Sequence, residues 1–123
     1  MLVLCLAVCF LVKAGYYPPM KTPEPVLKLR SELERIYGPR LKRLVVYGSY
    51  ARGTETADSD IDVAVVLDGE VRPGREIDRM IDTITDLNLE FATLISVFPV
   101  SETDFSERQS PLLNNLRREG IAA

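Results

Sequence analysis

Histidine is absent from the 123 residues. That excludes Ser-His-Asp and Cys-His nucleophile systems, histidine-ligated zinc and a histidine general base, so any catalysis must rest on carboxylates, hydroxyls and cations. Cysteine is scarce too: the chain holds two, Cys5 and Cys9, and two thiols in an apolar run fall short of a four-ligand zinc site. A domain beyond them is cysteine-free, which suits a reducing cytosol. A surplus of positive charge is also missing. Fifteen Lys and Arg face eighteen Asp and Glu, net −3, which argues against stable nucleic-acid binding and leaves room only for a local cationic pocket. The length fits a single domain.

The apolar residues are unevenly spread. Met1 to Val12 are all apolar, and Lys13 is the sole charge before Met20. Twelve residues rise only about 18 Å as a helix, short of the roughly 20 residues that span a bilayer. A signal peptide fits the length better, yet no positive residue precedes the run and Lys13 sits where a cleavage site would form. Three readings stand, with the second favoured: a signal or membrane segment, a start codon assigned upstream of Met20, or an extra element packed on the domain. The expectation is an apolar extension at 1–19 and one domain at 20–123, with no membrane role and a cytoplasmic location.

From Met20 the periodicity yields a short series of elements. Val26, Leu29, Leu33 and Ile36 or Tyr37 recur at helical spacing until Gly38-Pro39. Leu44 to Tyr47 reads as a strand ending in a Gly48-Ser49 turn, and Ile61 to Leu67 as a second strand apolar on both faces, suited to the middle of a covered sheet. Ile77 to Leu87 is a second helix and Leu89 to Val97 a third strand. Ser101 with Asp104 has capping spacing, and Pro111 to Arg118 forms a terminal helix ending at Gly120. The fold class is therefore α+β, a small central sheet with helices.

The chemistry concentrates between Gly48 and Asp62. In a strand, alternate side chains share a face, so Asp60 and Asp62 point to one side. Like charges about 4 Å apart repel by about 4 kcal/mol at an effective dielectric of about 20, so such a pair calls for a cation. Magnesium, held by one or two carboxylates plus substrate phosphates, meets that need. Gly48 lets a phosphate approach the backbone, and the Ser49 hydroxyl and neighbouring N–H groups can donate to its oxygens. Arg52, one helical turn on, either adds a cation beside that anion or pairs with Glu55 or Asp58. Two other motifs fail. A calcium loop starting at Asp58 would carry Val63 at the glycine position and Gly69 at the glutamate position, and a P-loop starting at Gly48 would carry Thr54 in place of lysine.

The run Gly48-Ser49-Tyr50-Ala51-Arg52-Gly53 followed by Ser59-Asp60-Ile61-Asp62 resembles the signature of the minimal nucleotidyltransferases, small members of the DNA polymerase beta-like superfamily. The resemblance implies a mixed sheet flanked by helices, and transfer of a nucleoside monophosphate, usually AMP from ATP, to a hydroxyl with loss of pyrophosphate. It implies that Gly48 and Ser49 hold the β- and γ-phosphates and that Asp60 and Asp62 bind up to two magnesium ions. The family usually adds a third carboxylate on a later strand, about where Ala92 or Leu94 stands here. Glu90 is the sole acidic residue of the third strand as read above, either a general base or second-ion ligand, or a rim charge. The resemblance further implies a HEPN-type partner protein in a toxin–antitoxin pair, with a homo-oligomer as the alternative. A nucleotide-binding module that acts without turnover is the competing reading.

Overall fold

The computed structural model describes residues 22–56 and 59–123. The expectations for residues 1–19 and for Asp58 lie outside the described residues. Helix α1 (Glu24–Tyr37) opens with Pro25 in its first turn, where a missing N–H is tolerated, and buries Val26, Leu29, Leu33 and Tyr37 on one stripe. Gly38, at φ 56°, ends it, and a single 3-10 turn (Gly38–Arg40) feeds β1 (Leu41–Tyr47). A four-residue helix α2 (Ser49–Arg52) follows, then β2 (Ile61–Leu67), α3 (Pro73–Phe91), β3 (Ile95–Ser101), α4 (Glu102–Glu107), α5 (Pro111–Glu119) and β4 (Ile121–Ala122).

The sheet is mixed, in the order β3-β2-β1-β4. Strand β1 runs antiparallel to β2, β2 parallel to β3 through the α3 crossover, and β4 antiparallel to β1 at Val45 and Val46. Strand β2 is covered on both sides. Ile61, Val63, Val65 and Leu67 pack under α1 and α3, and Ala64 and Val66 pack under Phe105 of α4 and Leu113 and Leu116 of α5. This accounts for the unbroken apolar run, since a strand buried on both faces has no polar side to alternate. Both C-terminal helices are capped by serine: Ser101 accepts from the Asp104 N–H and Ser110 from the Leu113 N–H, each at 3.1 Å.

The expected third strand needs correction. Helix α3 continues a full turn beyond Leu87 to Phe91, and β3 starts at Ile95 rather than Leu89. Ala92 closes the helix in the left-handed region, at φ 48° and ψ 46°, a position usually marked by glycine or asparagine. Asn88 then turns the chain: its carbonyl accepts the Ala92 and Thr93 N–H groups, and its side-chain oxygen accepts the Ile95 N–H at 2.9 Å. The short strand β4 was also not expected. It lies against β1 because Gly120 has no side chain; a Cβ there would collide with the Leu116 carbonyl and Val45. Among the described residues no helix is long and apolar enough to cross a membrane.

Candidate active site

Strand β1 delivers the chain into Gly48 at φ 73° and ψ −149°, a backbone conformation that side chains disfavour. Ser49 to Arg52 make one helical turn, closed by Gly53 in the left-handed region and by the Thr54 N–H donating to the Ser49 carbonyl at 2.9 Å. No side chain caps the start of this turn. Thr56 and Ser59 hydrogen-bond to each other, the Thr56 N–H to the Ser59 hydroxyl at 2.8 Å and the Ser59 N–H to the Thr56 carbonyl at 3.0 Å. Asp60 and β2 follow directly.

In the sheet register, Asp62 lies opposite Tyr47 on one side and beside Ser96 on the other. Its carboxylate rests on the Gly48 backbone so closely that a Cβ at position 48 would overlap Oδ2. The glycine is thus required twice, by its dihedral angles and by its neighbour. Asp60 is exposed and Asp62 half-buried. Burial and then the charge of Asp60 raise the Asp62 pKa above the usual carboxylate range, and Arg52 partly counters them. The Tyr47 phenol is raised as well, by burial and by Asp62. A pair of hard oxygen donors under mutual repulsion is a fitting donor set for magnesium. We expect Gly48→Ala to lose more than about 1 kcal/mol of stability from its positive φ alone. Displacement of Asp62 should cut activity at least about 100-fold. Denaturant unfolding and a transfer assay on one preparation check both.

The sequence-derived site residues divide into two groups. Gly48, Ser49, Asp60 and Asp62 converge where β1 ends and β2 begins. Arg52 points there electrostatically, and among the described residues its ion pair is with Glu119 of α5, at 3.4 Å, rather than with Glu55. Glu90 does not join them. It sits in the last turn of α3, exposed, and pairs with Lys28 of α1 at 2.6 Å. Among the described residues, no three acidic, cysteine or histidine side chains come together as a metal cluster. The strand position next to Asp62 holds Ser96, and Ala92 and Leu94, where the resemblance implies a third carboxylate, lie between α3 and β3. Sequence reasoning missed Ser96, Tyr47 and Glu119. The first was hidden by the misplaced start of β3, and the last by a contact spanning 67 residues.

A Gly-Ser turn interlocked with a paired carboxylate on a mixed sheet is the arrangement that the nucleotidyltransferase resemblance implies. The chain belongs to the nucleotidyltransferase domain family, whose profile matches residues 26–115. It is 33% identical over 89 residues to a candidate protein adenylyltransferase of Methanocaldococcus jannaschii, covering 72% of this chain and 83% of that protein. Among solved structures, a toxin–antitoxin complex with AMP-PNP matches at TM-score 0.57 and 18% identity, over 81% of this chain and 72% of that one. A candidate nucleotidyltransferase from Sulfolobus solfataricus matches at TM-score 0.53 and 20% identity, over 83% and 87% respectively. The two structural likenesses support the fold, a nucleotidyltransferase α+β sheet.

Proposed function

We propose that this protein transfers AMP from ATP to a hydroxyl of a partner protein in the cytosol, using Asp60 and Asp62 to hold magnesium. The observation that carries the reading is the contact of Asp62 with Gly48, which sets the metal-binding carboxylates against the turn suited to phosphates. Magnesium, when bound, neutralises the triphosphate and the departing pyrophosphate. Gly48 opens the backbone to a phosphate, Ser49 donates its hydroxyl to a phosphate oxygen, and Arg52 adds positive charge at the same end of the sheet. The acceptor oxygen forms a bond to the α-phosphorus as the bond to pyrophosphate breaks. The hydroxyl proton leaves to water at the solvated rim beside exposed Asp60, since Ser96 supplies no carboxylate base. Glu90 falls outside this assignment, so Glu90→Gln should leave transfer and Tm essentially unchanged, its ion pair with Lys28 being solvent-exposed.

The adenylyl group and the protein acceptor are favoured by the relative described as a protein adenylyltransferase. The toxin–antitoxin neighbour favours a toxin as that acceptor, with this chain as the antitoxin that silences it, and the resemblance of the Gly48–Asp62 motif implies that the toxin is of the HEPN type. Ser96 beside Asp62, with no third acidic side chain joining the pair among the described residues, favours the competing reading, a nucleotide-binding module without turnover. The test uses the full chain, magnesium, ATP labelled at the α-phosphate and the HEPN-type protein encoded beside it. Label appearing on the partner is expected. Bound nucleotide with no label transferred would overturn the enzymatic reading in favour of the binding module.

A further inference from the structure

The opposite end of the sheet carries charge that the transfer site does not use. Where β2 ends and α3 begins, a pocket of about 140 Å³ is lined by Arg40, Glu70, Arg72, Arg75, Glu76 and Arg79. The seven residues of β2 put it about 20 Å from Asp62. Four guanidinium groups gather there in a chain of net charge −3.

Folding accounts for two of them. Arg40 donates to the carbonyls of Asp68 at 2.9 Å and Glu70 at 2.6 Å and to the Glu76 carboxylate at 3.0 Å, which fastens the loop after β2. Arg72 pairs with Glu70 at 3.2 Å. Both carboxylates of the pocket are therefore matched: Glu70 by Arg72, and Glu76 by Arg40 and the Tyr37 hydroxyl. Arg75 and Arg79 are exposed, one turn apart on α3, and have no hydrogen-bonded or ion-paired side chain among the described residues. Their placement works against the helix. Like charges at this spacing repel, and Arg75, in the first turn, opposes the helix dipole. A local arrangement that opposes folding, next to a concavity, is where a binding role is expected.

We propose that this pocket binds a phosphoryl dianion, gripped by the side chains of Arg75 and Arg79 with Arg72 at its rim. The planar fork of arginine matches phosphate oxygens two at a time, which a lysine cluster would not do. The volume of about 140 Å³ is on the scale of one phosphoryl group or pyrophosphate and is small beside the pockets of about 300 Å³ or more that enclose whole small-molecule ligands. The dianion comes either free in solution or as a phosphate ester on a protein side chain.

The test is calorimetric titration at physiological ionic strength, on the full chain carrying Asp60→Asn and Asp62→Asn with chelator present, so that the transfer site is silent. The probes are inorganic phosphate, pyrophosphate and a phosphoserine peptide with its unphosphorylated counterpart. One saturable site is expected, with Kd rising at least tenfold in Arg75→Gln/Arg79→Gln. Arg75→Lys/Arg79→Lys keeps the charge without the forks and should fall between. Pyrophosphate binding tightest identifies a free ligand; the phosphopeptide binding tightest identifies an ester. No saturable binding by any probe, or affinity unchanged in the glutamine variant, overturns the proposal.

Discussion

Asp60→Asn combined with Asp62→Asn should abolish label transfer, a loss of at least about 1,000-fold, because it removes both carboxylates proposed to hold magnesium at the phosphates. The same change should not weaken the fold. Ionised Asp62 is disfavoured by burial and by the charge of Asp60, so its pKa is raised in the folded chain. A raised carboxylate pKa means that the folded state holds its proton more tightly than the unfolded chain does, and ionisation at neutral pH therefore costs stability. Asn at position 62 removes that cost. Under chelating conditions the Asp62→Asn variant should unfold at a Tm equal to or above that of the parent, while transfer is lost. A variant that lost both activity and Tm would attribute the loss to misfolding and withdraw the assignment of Asp62 as a ligand. The opposed signs of the two readouts separate a functional carboxylate from a structural one.

Glu76→Ala carries the largest expected stability effect. Glu76 is 2% exposed, the only charged residue among those buried in the described chain, and both carboxylate oxygens are engaged, one by the Tyr37 hydroxyl at 2.7 Å and one by Arg40 at 3.0 Å. Removing the carboxylate loses the Tyr37 and Arg40 hydrogen bonds to a charged, buried acceptor, at about 1.5 to 3 kcal/mol, while Arg40 keeps its carbonyl partners and a partly exposed position. For a domain whose total stability is about 5 to 15 kcal/mol, this is a large fraction. Chemical denaturation should show it directly. The pH dependence carries the same signature. Burial pushes the Glu76 pKa up, but the hydrogen bonds from Tyr37 and Arg40 outweigh it, and the net shift is below the ordinary value of 4.5. The stabilisation is therefore fully present above about pH 4.5 and lost as pH falls through the lower folded value. Glu76→Gln should flatten that acid limb. An acid limb identical in parent and glutamine variant would remove Glu76 from the account.

The elements whose signals are local were legible in the sequence. The stripe of Val26, Leu29 and Leu33, the doubly apolar β2 and the Ser101 cap depend on neighbours a few residues away, and the structure has them where their spacing puts them. The Gly-Ser turn and the Asp60–Asp62 pair were legible for the same reason: both come from one hairpin. What was not legible depends on a residue acting against its type or on a distant partner. Ala92 ends α3 in a glycine's conformation, so no glycine or asparagine marked where the helix stops and the strand was placed too early. That displacement put Glu90 on a sheet it does not belong to and hid Ser96. Arg52 pairs with Glu119 because α5 returns to β1, a contact that periodicity cannot express.

The overlap between Gly48 and Asp62 also bears on how such a chain can lose its function over generations. A side chain at position 48 would have to push the Asp62 carboxylate aside, and with it a group proposed to hold magnesium. Loss of Asp62 relieves that contact, but the positive φ, at about 1 to 3 kcal/mol, still holds the glycine. The two positions are therefore not free to drift separately: a related sequence with a side chain at the glycine position is expected to carry a displaced or missing carboxylate at its partner, and with it a silenced site.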